Sequence, residues 1–152
     1  MVPDRAATWL PRAVADTLDA IGVASAYLAE ADVGTLASRS SRQELQRRNS
    51  LLAQTFDSAI NGSTSQRRHA EQIWPIVVAT QRFADHTLAE CRRHDRPVER
   101  DDGATRATLR ATMTELAAAV RIGQTPSPID DFSGPFSNDL RLLYDALTHD
   151  AK

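Results

Sequence analysis

Ser41-Arg42-Gln43-Glu44-Leu45-Gln46-Arg47-Arg48-Asn49-Ser50-Leu51-Leu52-Ala53-Gln54-Thr55-Phe56-Asp57-Ser58-Ala59-Ile60-Asn61-Gly62-Ser63-Thr64-Ser65-Gln66 is the stretch that decides the fold. Ser41 to Glu44 spells a capping box, in which a serine oxygen accepts a free backbone N–H and a glutamate reaches back. Leu45, Leu52, Phe56 and Ala59 then share one helical stripe, with Asn49 the one polar residue on it. Asn61-Gly62 predicts a left-handed stop. Ser63 to Gln66 fits a second capping box. Two helices joined by so short a turn form an antiparallel hairpin.

The same period extends outward in both directions. Upstream, Leu10, Val14, Leu18, Ile21 and Leu28 mark a helix over about 11–36, with Pro11 in its first turn, where the missing N–H costs nothing. Downstream, Ile73, Ile76, Val77, Phe83 and Leu88 mark a helix over about 64–94 that Pro97 ends. Pro75 lies inside it, removes the bond to the Glu71 carbonyl, and predicts a kink or a separate short helix before it. Asp95 to Gly103 reads as a charged loop. Leu109, Met113, Leu116 and Val120 mark a fourth helix over about 104–122, closed by Gly123. Residues 124–135 hold Pro126, Pro128, Gly134 and Pro135 and form an irregular loop. Ser137 then caps a short helix through Leu140, Leu143 and Leu147 to about 149. The six glycines are expected at element boundaries, and no strand-type alternation occurs. The expected fold is all-α: an antiparallel four-helix bundle with a short fifth C-terminal helix, one domain over residues 1–152.

Composition bounds the function. The chain has 152 residues, 18 basic and 20 acidic, for a net charge of −2, so nothing in its charge draws it to nucleic acid. Aromatic residues make only 5%, so the core is mostly aliphatic. The single cysteine, Cys91, allows no intrachain disulfide and fits a reducing compartment. No run approaches the roughly 18 apolar residues of a membrane span, and Met1 to Leu10 carries no signal pattern, so a soluble chain is expected. Every basic residue except Lys152 is arginine, which with the abundant alanine fits a GC-rich bacterial source.

Candidate chemistry is sparse. His86, Glu90 and His94 share a face at i, i+4, i+8, and imidazole with carboxylate suits zinc or iron. The paired Glu-x-x-His of di-iron bundles is missing, however, and Arg92, Arg93 and Arg96 would repel a cation. The doublets Arg47-Arg48, Arg67-Arg68 and Arg92-Arg93 match anionic oxygens, but surface arginines paired with acids explain them better. A helix-turn-helix fails because the hairpin lacks a basic, polar recognition face. Cys91 sits one turn from His94 with no oxyanion elbow nearby and reads as a packed thiol. No glycine-rich phosphate loop occurs. No catalytic residue, cofactor or metal is assigned, and the chain is expected not to be an enzyme. Asn49 and Arg82 interrupt apolar surroundings. Asn49 is expected to fix register, with Arg82 partnering it or a carboxylate. A ligand pocket is expected near the Pro75 kink, lined by Trp74, Phe83 and Met113.

Three stretches resemble the cytosolic C-terminal region of the fusaric acid resistance protein-like (FUSC) family, which overlaps the aromatic acid exporters. Residues 42–56 are similar to its arginine-rich helix with an Arg-Asn step. Ala70-Glu71-Gln72-Ile73-Trp74-Pro75 with Thr80-Gln81-Arg82-Phe83-Ala84 resembles the next helix. Ala117 to Pro128 with Ile129-Asp130-Asp131 resembles a helix ending in a proline-rich exit. The resemblance spans about Pro11 to Leu147, and the opening Trp9-Leu10-Pro11-Arg12 would suit a chain leaving a membrane. It implies a cytosolic assembly or regulatory domain of an inner-membrane transporter or efflux component for small organic acids. The implied partners are the parent's transmembrane region, a second copy of the domain, and a small organic acid, with no nucleic acid. Arg48, Asn49 and Arg82 match the family's stretches, and with Trp74, Phe83 and Met113 they are the candidate ligand or packing residues. The alternative is a stand-alone helical bundle that binds a ligand or a protein.

Overall fold

The computed structural model describes residues 5–28, 36–92, 103–127 and 136–149, with the side chains of 5–8, 28 and 103–108 left aside. Five helices follow in order: α1 (Arg5–Leu28), α2 (Leu36–Ile60), α3 (Thr64–Arg92), α4 (Gly103–Ile122) and α5 (Ser137–His149). No strand occurs among the described residues. The all-α bundle with a short fifth helix is therefore the observed class.

The stripes form the core. Leu10, Val14, Leu18 and Ile21 of α1 and Leu45, Leu52 and Ala59 of α2 are buried. So are Ile73, Ile76, Val77, Phe83 and Leu88 of α3, Leu109, Met113 and Leu116 of α4, and Leu140 and Leu143 of α5. Phe56, Val120 and Leu147 pack on this core only in part.

Four local expectations need correction. First, α1 begins at Arg5, which places Pro11 inside the helix rather than in its first turn. Burial of Leu10 with Val14 on one stripe outweighs the single bond Pro11 cannot make. Second, α2 begins at Leu36, so Ser41 is interior and buried, not a cap. Its hydroxyl donates to the Ser38 carbonyl at 2.7 Å, satisfied within the helix. Third, neither Asn61 nor Gly62 adopts a left-handed backbone; the positive φ among the described residues is at Gly123, 69°, where α4 stops. The Asn61 and Gly62 N–H groups close α2 on the Asp57 and Ala59 carbonyls at 3.1 and 3.2 Å, and side chains add to them: Asn61 Nδ2 donates to the Asp57 carbonyl at 2.9 Å and Arg67 Nε to the Ile60 carbonyl at 3.0 Å. Fourth, Gly22 lies within α1, not at a boundary. A Cβ there would stand 3.2 Å from Met113 Cβ, so this glycine sets how closely α1 and α4 approach.

The second capping box forms as read. Gln66 N donates to Ser63 Oγ at 3.2 Å, and Ser63 N donates to Gln66 Oε1 at 3.0 Å. α3 runs unbroken through Pro75. The expected ends of the first and third helices beyond Leu28 and Arg92 lie outside the described residues. So do most of the 95–103 loop and of the 124–135 loop.

Contact pairs give the directions. Phe56 meets Trp74 while Asn49 meets Asp85, so α2 and α3 are antiparallel. Asp16 and Asp19 meet Arg121 while Gly22 meets Met113, so α1 and α4 are antiparallel. One sequence offset joins both Phe83 to Phe136 and His86 to Asp139, so α5 runs parallel to α3. α1 packs against α2, α3 and α4, whereas α5 packs against α3. α4 covers the C-terminal half of α1, and α5 covers the C-terminal half of α3. Both added helices thus thicken one half of the bundle. Among the described residues the hairpin half is built of α1, α2 and α3 alone, and there Trp9 and Trp74 stand 52% and 47% exposed.

Candidate functional site

The arginines near the bundle's middle serve the fold. Arg48 Nε lies 2.8 Å from Glu44 Oε1, and its Nη1 lies 3.4 Å from Asp16 Oδ2 on α1. Asp16 Oδ1 in turn lies 2.9 Å from Arg121 Nη2 of α4, which also holds Asp19 Oδ2 at 2.6 Å. Arg47 joins through Glu44 at 2.9 Å. Three arginines and three carboxylates therefore lace α2, α1 and α4 together at the surface. Hydrogen bonding to Arg47 holds the Glu44 carboxyl below its ordinary range. Bonds to Asp19 and then Asp16 raise Arg121 further above neutrality.

Asn49 Nδ2 donates to Asp85 Oδ1 at 3.1 Å, which ties α2 to α3 across the seam. Arg82 is not its partner: it is exposed, and among the described residues no ion pair holds it. Phe83 is fully buried and stacks on Phe136, just before α5, with centroids 5.7 Å apart. Met113 is fully buried opposite Gly22 of α1. Trp74 thus meets α2, Phe83 the residue before α5 and Met113 α1, and of the three only Trp74 lines the groove described below.

His86 lies between two carboxylates. Its Nδ1 shares a short hydrogen bond with Asp139 of α5, and its Nε2 faces Glu90 Oε1 at 3.8 Å. The ring also meets Phe136 edge-on, with centroids 5.3 Å apart. Because the carboxylates approach opposite nitrogens, they do not converge on one ion with the imidazole; among the described residues no such three-ligand group occurs. His94 lies outside the described residues. Cys91 is buried, and that burial pushes its thiol pKa up, away from the reactive thiolate.

A groove of about 400 Å³ opens on the hairpin half, lined by Phe56 and Ile60 of α2 and Glu71 and Trp74 of α3. The Phe56 and Trp74 rings pack against each other with centroids 4.7 Å apart at 33°. Arg67 reaches its edge through the Ile60 carbonyl. Of the candidate residues only Trp74 reaches this groove. Phe56 falls on the apolar stripe of α2, and no local pattern marks Ile60 or Glu71 as site residues. Hairpin register was the available signal, since a short turn sets the end of α2 opposite the start of α3. No protein-family model, no curated protein and no solved structure matches this chain. No described helix is long and apolar enough to cross a membrane.

Proposed function

We propose that this chain is a helical binding module that acts by docking rather than by catalysis, with the α2–α3 groove as its docking site. The observation that carries this is Trp74. It stays half exposed against Phe56, over a groove within the size range of small-molecule sites. A large aromatic surface left open on a well-packed bundle is the kind of feature that binding sites use. Two further placements favour docking over chemistry: both His86 nitrogens face carboxylates, and the Cys91 thiol is buried. The test is a set of amide NMR spectra recorded while small aromatic compounds are titrated in. Shifts gathered on Phe56, Ile60, Glu71 and Trp74 support the module; shifts scattered over the surface, or none, overturn it.

The resemblance to the cytosolic region of FUSC-type exporters favours a second reading, in which such a module assembles at the inner face of a bacterial membrane. Arg48 and Asn49, which carry part of that resemblance, are used in contacts between helices. They therefore speak for a shared bundle more than for a transport site. Blotting soluble and membrane fractions of the source organism tests this. A product several-fold heavier than the chain, in the membrane pellet, supports it, and a soluble product of the chain's own size refutes it.

A further inference from the structure

We propose that the groove takes an organic cation: a protonated amine or guanidinium on a small apolar body. This deepens the docking reading and rests on it. Two observations select the charge. First, the groove's polar lining is Glu71, whose exposed carboxylate forms no ion pair among the described residues; Arg67, one turn away, points its Nε at the Ile60 carbonyl instead. Second, Trp74 beside it is half exposed, and an indole face attracts cations. The groove thus offers a carboxylate and an open indole to a ligand that carries a cationic N–H donor. Phe56, packed against Trp74 with centroids 4.7 Å apart, backs the indole and adds apolar surface for the ligand's body. Arg67 at the groove's edge keeps its charge on the Ile60 carbonyl, so the preference rests on Glu71 lining the groove itself: an organic acid would set its carboxylate beside that of Glu71. The groove's chemistry therefore favours amines over the acids that the exporter resemblance implies.

The experiment uses the full chain carrying Trp9→Phe, so that indole emission reports Trp74 alone. Three matched probes are titrated: 2-phenylethylammonium, 2-phenylethanol and phenylacetate. The expected result is saturable quenching with the ammonium binding about fivefold tighter than the alcohol, a gain that added salt reduces. Phenylacetate is expected to be weakest. Glu71→Gln, an exposed substitution whose fold is checked by circular dichroism, should bring the ammonium down to the alcohol's affinity. Equal binding of ammonium and alcohol, unchanged by Glu71→Gln, overturns the cation proposal and leaves the docking groove standing. Tighter binding of phenylacetate also overturns it. No response to any probe overturns both the cation and the groove.

Discussion

Leu51 and Leu52 are adjacent on α2, yet the bundle treats them differently, and replacing each by alanine tests the packing directly. Leu52 is fully buried, whereas Leu51 is 40% exposed. Leu52→Ala removes three carbons, and at about 0.8 kcal/mol each the lost transfer energy alone is about 2.4 kcal/mol. The cavity left behind adds to this, placing the total within about 2–5 kcal/mol. For a chain of this size each kcal/mol lowers the melting temperature by about 2–4 °C. The transfer term alone therefore predicts a drop of about 5–10 °C. Leu51→Ala should cost under about 1 kcal/mol, near the range of surface substitutions. The assay is urea unfolding followed by circular dichroism, with thermal melts beside it. Equal losses for the two variants, or a larger loss for Leu51→Ala, would mean that α2 presents a different face to α1 and α3, and the core described above would be wrong.

Gly62→Ala should destabilise by about 1 kcal/mol, because its Cβ would stand 3.0 Å from Gln66 Cδ and displace the capping glutamine. Gln66→Ala should cost about as much, and the double variant clearly less than the sum; additive losses in urea unfolding would show that glycine serves something other than room for the cap. Asp16→Asn should cost up to about 1 kcal/mol by loosening both Arg48 and Arg121. That loss should shrink as salt rises, and a salt-independent loss would point to packing instead. Glu44 has a lowered pKa, so its contribution is complete above its ordinary value of 4.5 and fades as pH falls through the lowered value. Urea midpoints measured on the acid side should accordingly converge for Glu44→Gln and the parent chain, and a gap that widens toward low pH would reverse the assignment.

Helices were legible in this sequence because burial repeats every three or four residues, and Leu45, Leu52 and Ile73 obey that rule wherever their neighbours come from. Ends were less legible. Ser41 looked like a cap by spelling, but a serine can satisfy its hydroxyl on the Ser38 carbonyl inside a helix, and only packing decides which occurs. Gly62 was expected for its backbone freedom and is present for the space it leaves beside Gln66. Gly22 shows the same limit: its partner, Met113, is far off in sequence. The site was harder still. Arg48 and Asn49 stood out by residue type, yet they are joined to Asp16 and Asp85 by tertiary geometry that no local pattern encodes. Trp74 is expected to share a pocket with Phe83 and Met113, but those two side chains are fully buried elsewhere in the bundle. The groove lies across the hairpin, on the face that Phe56 and Ile60 complete.

The uneven thickness of the bundle carries a consequence for how it breathes. Backbone amides exchange with solvent through openings whose cost rises with the structure packed over them. Along α3, Phe83 lies under Phe136 at the entry to α5, and Thr87 one turn on is fully buried, so their amides should be among the last to exchange. The first turns of α3 and the last of α2 have fewer helices over them and should exchange through smaller excursions held back mainly by the Ser63–Gln66 cap. The groove would then occupy the part of the molecule that is cheapest to deform. A ligand seated there would slow the exchange of the hairpin and leave the far half almost untouched.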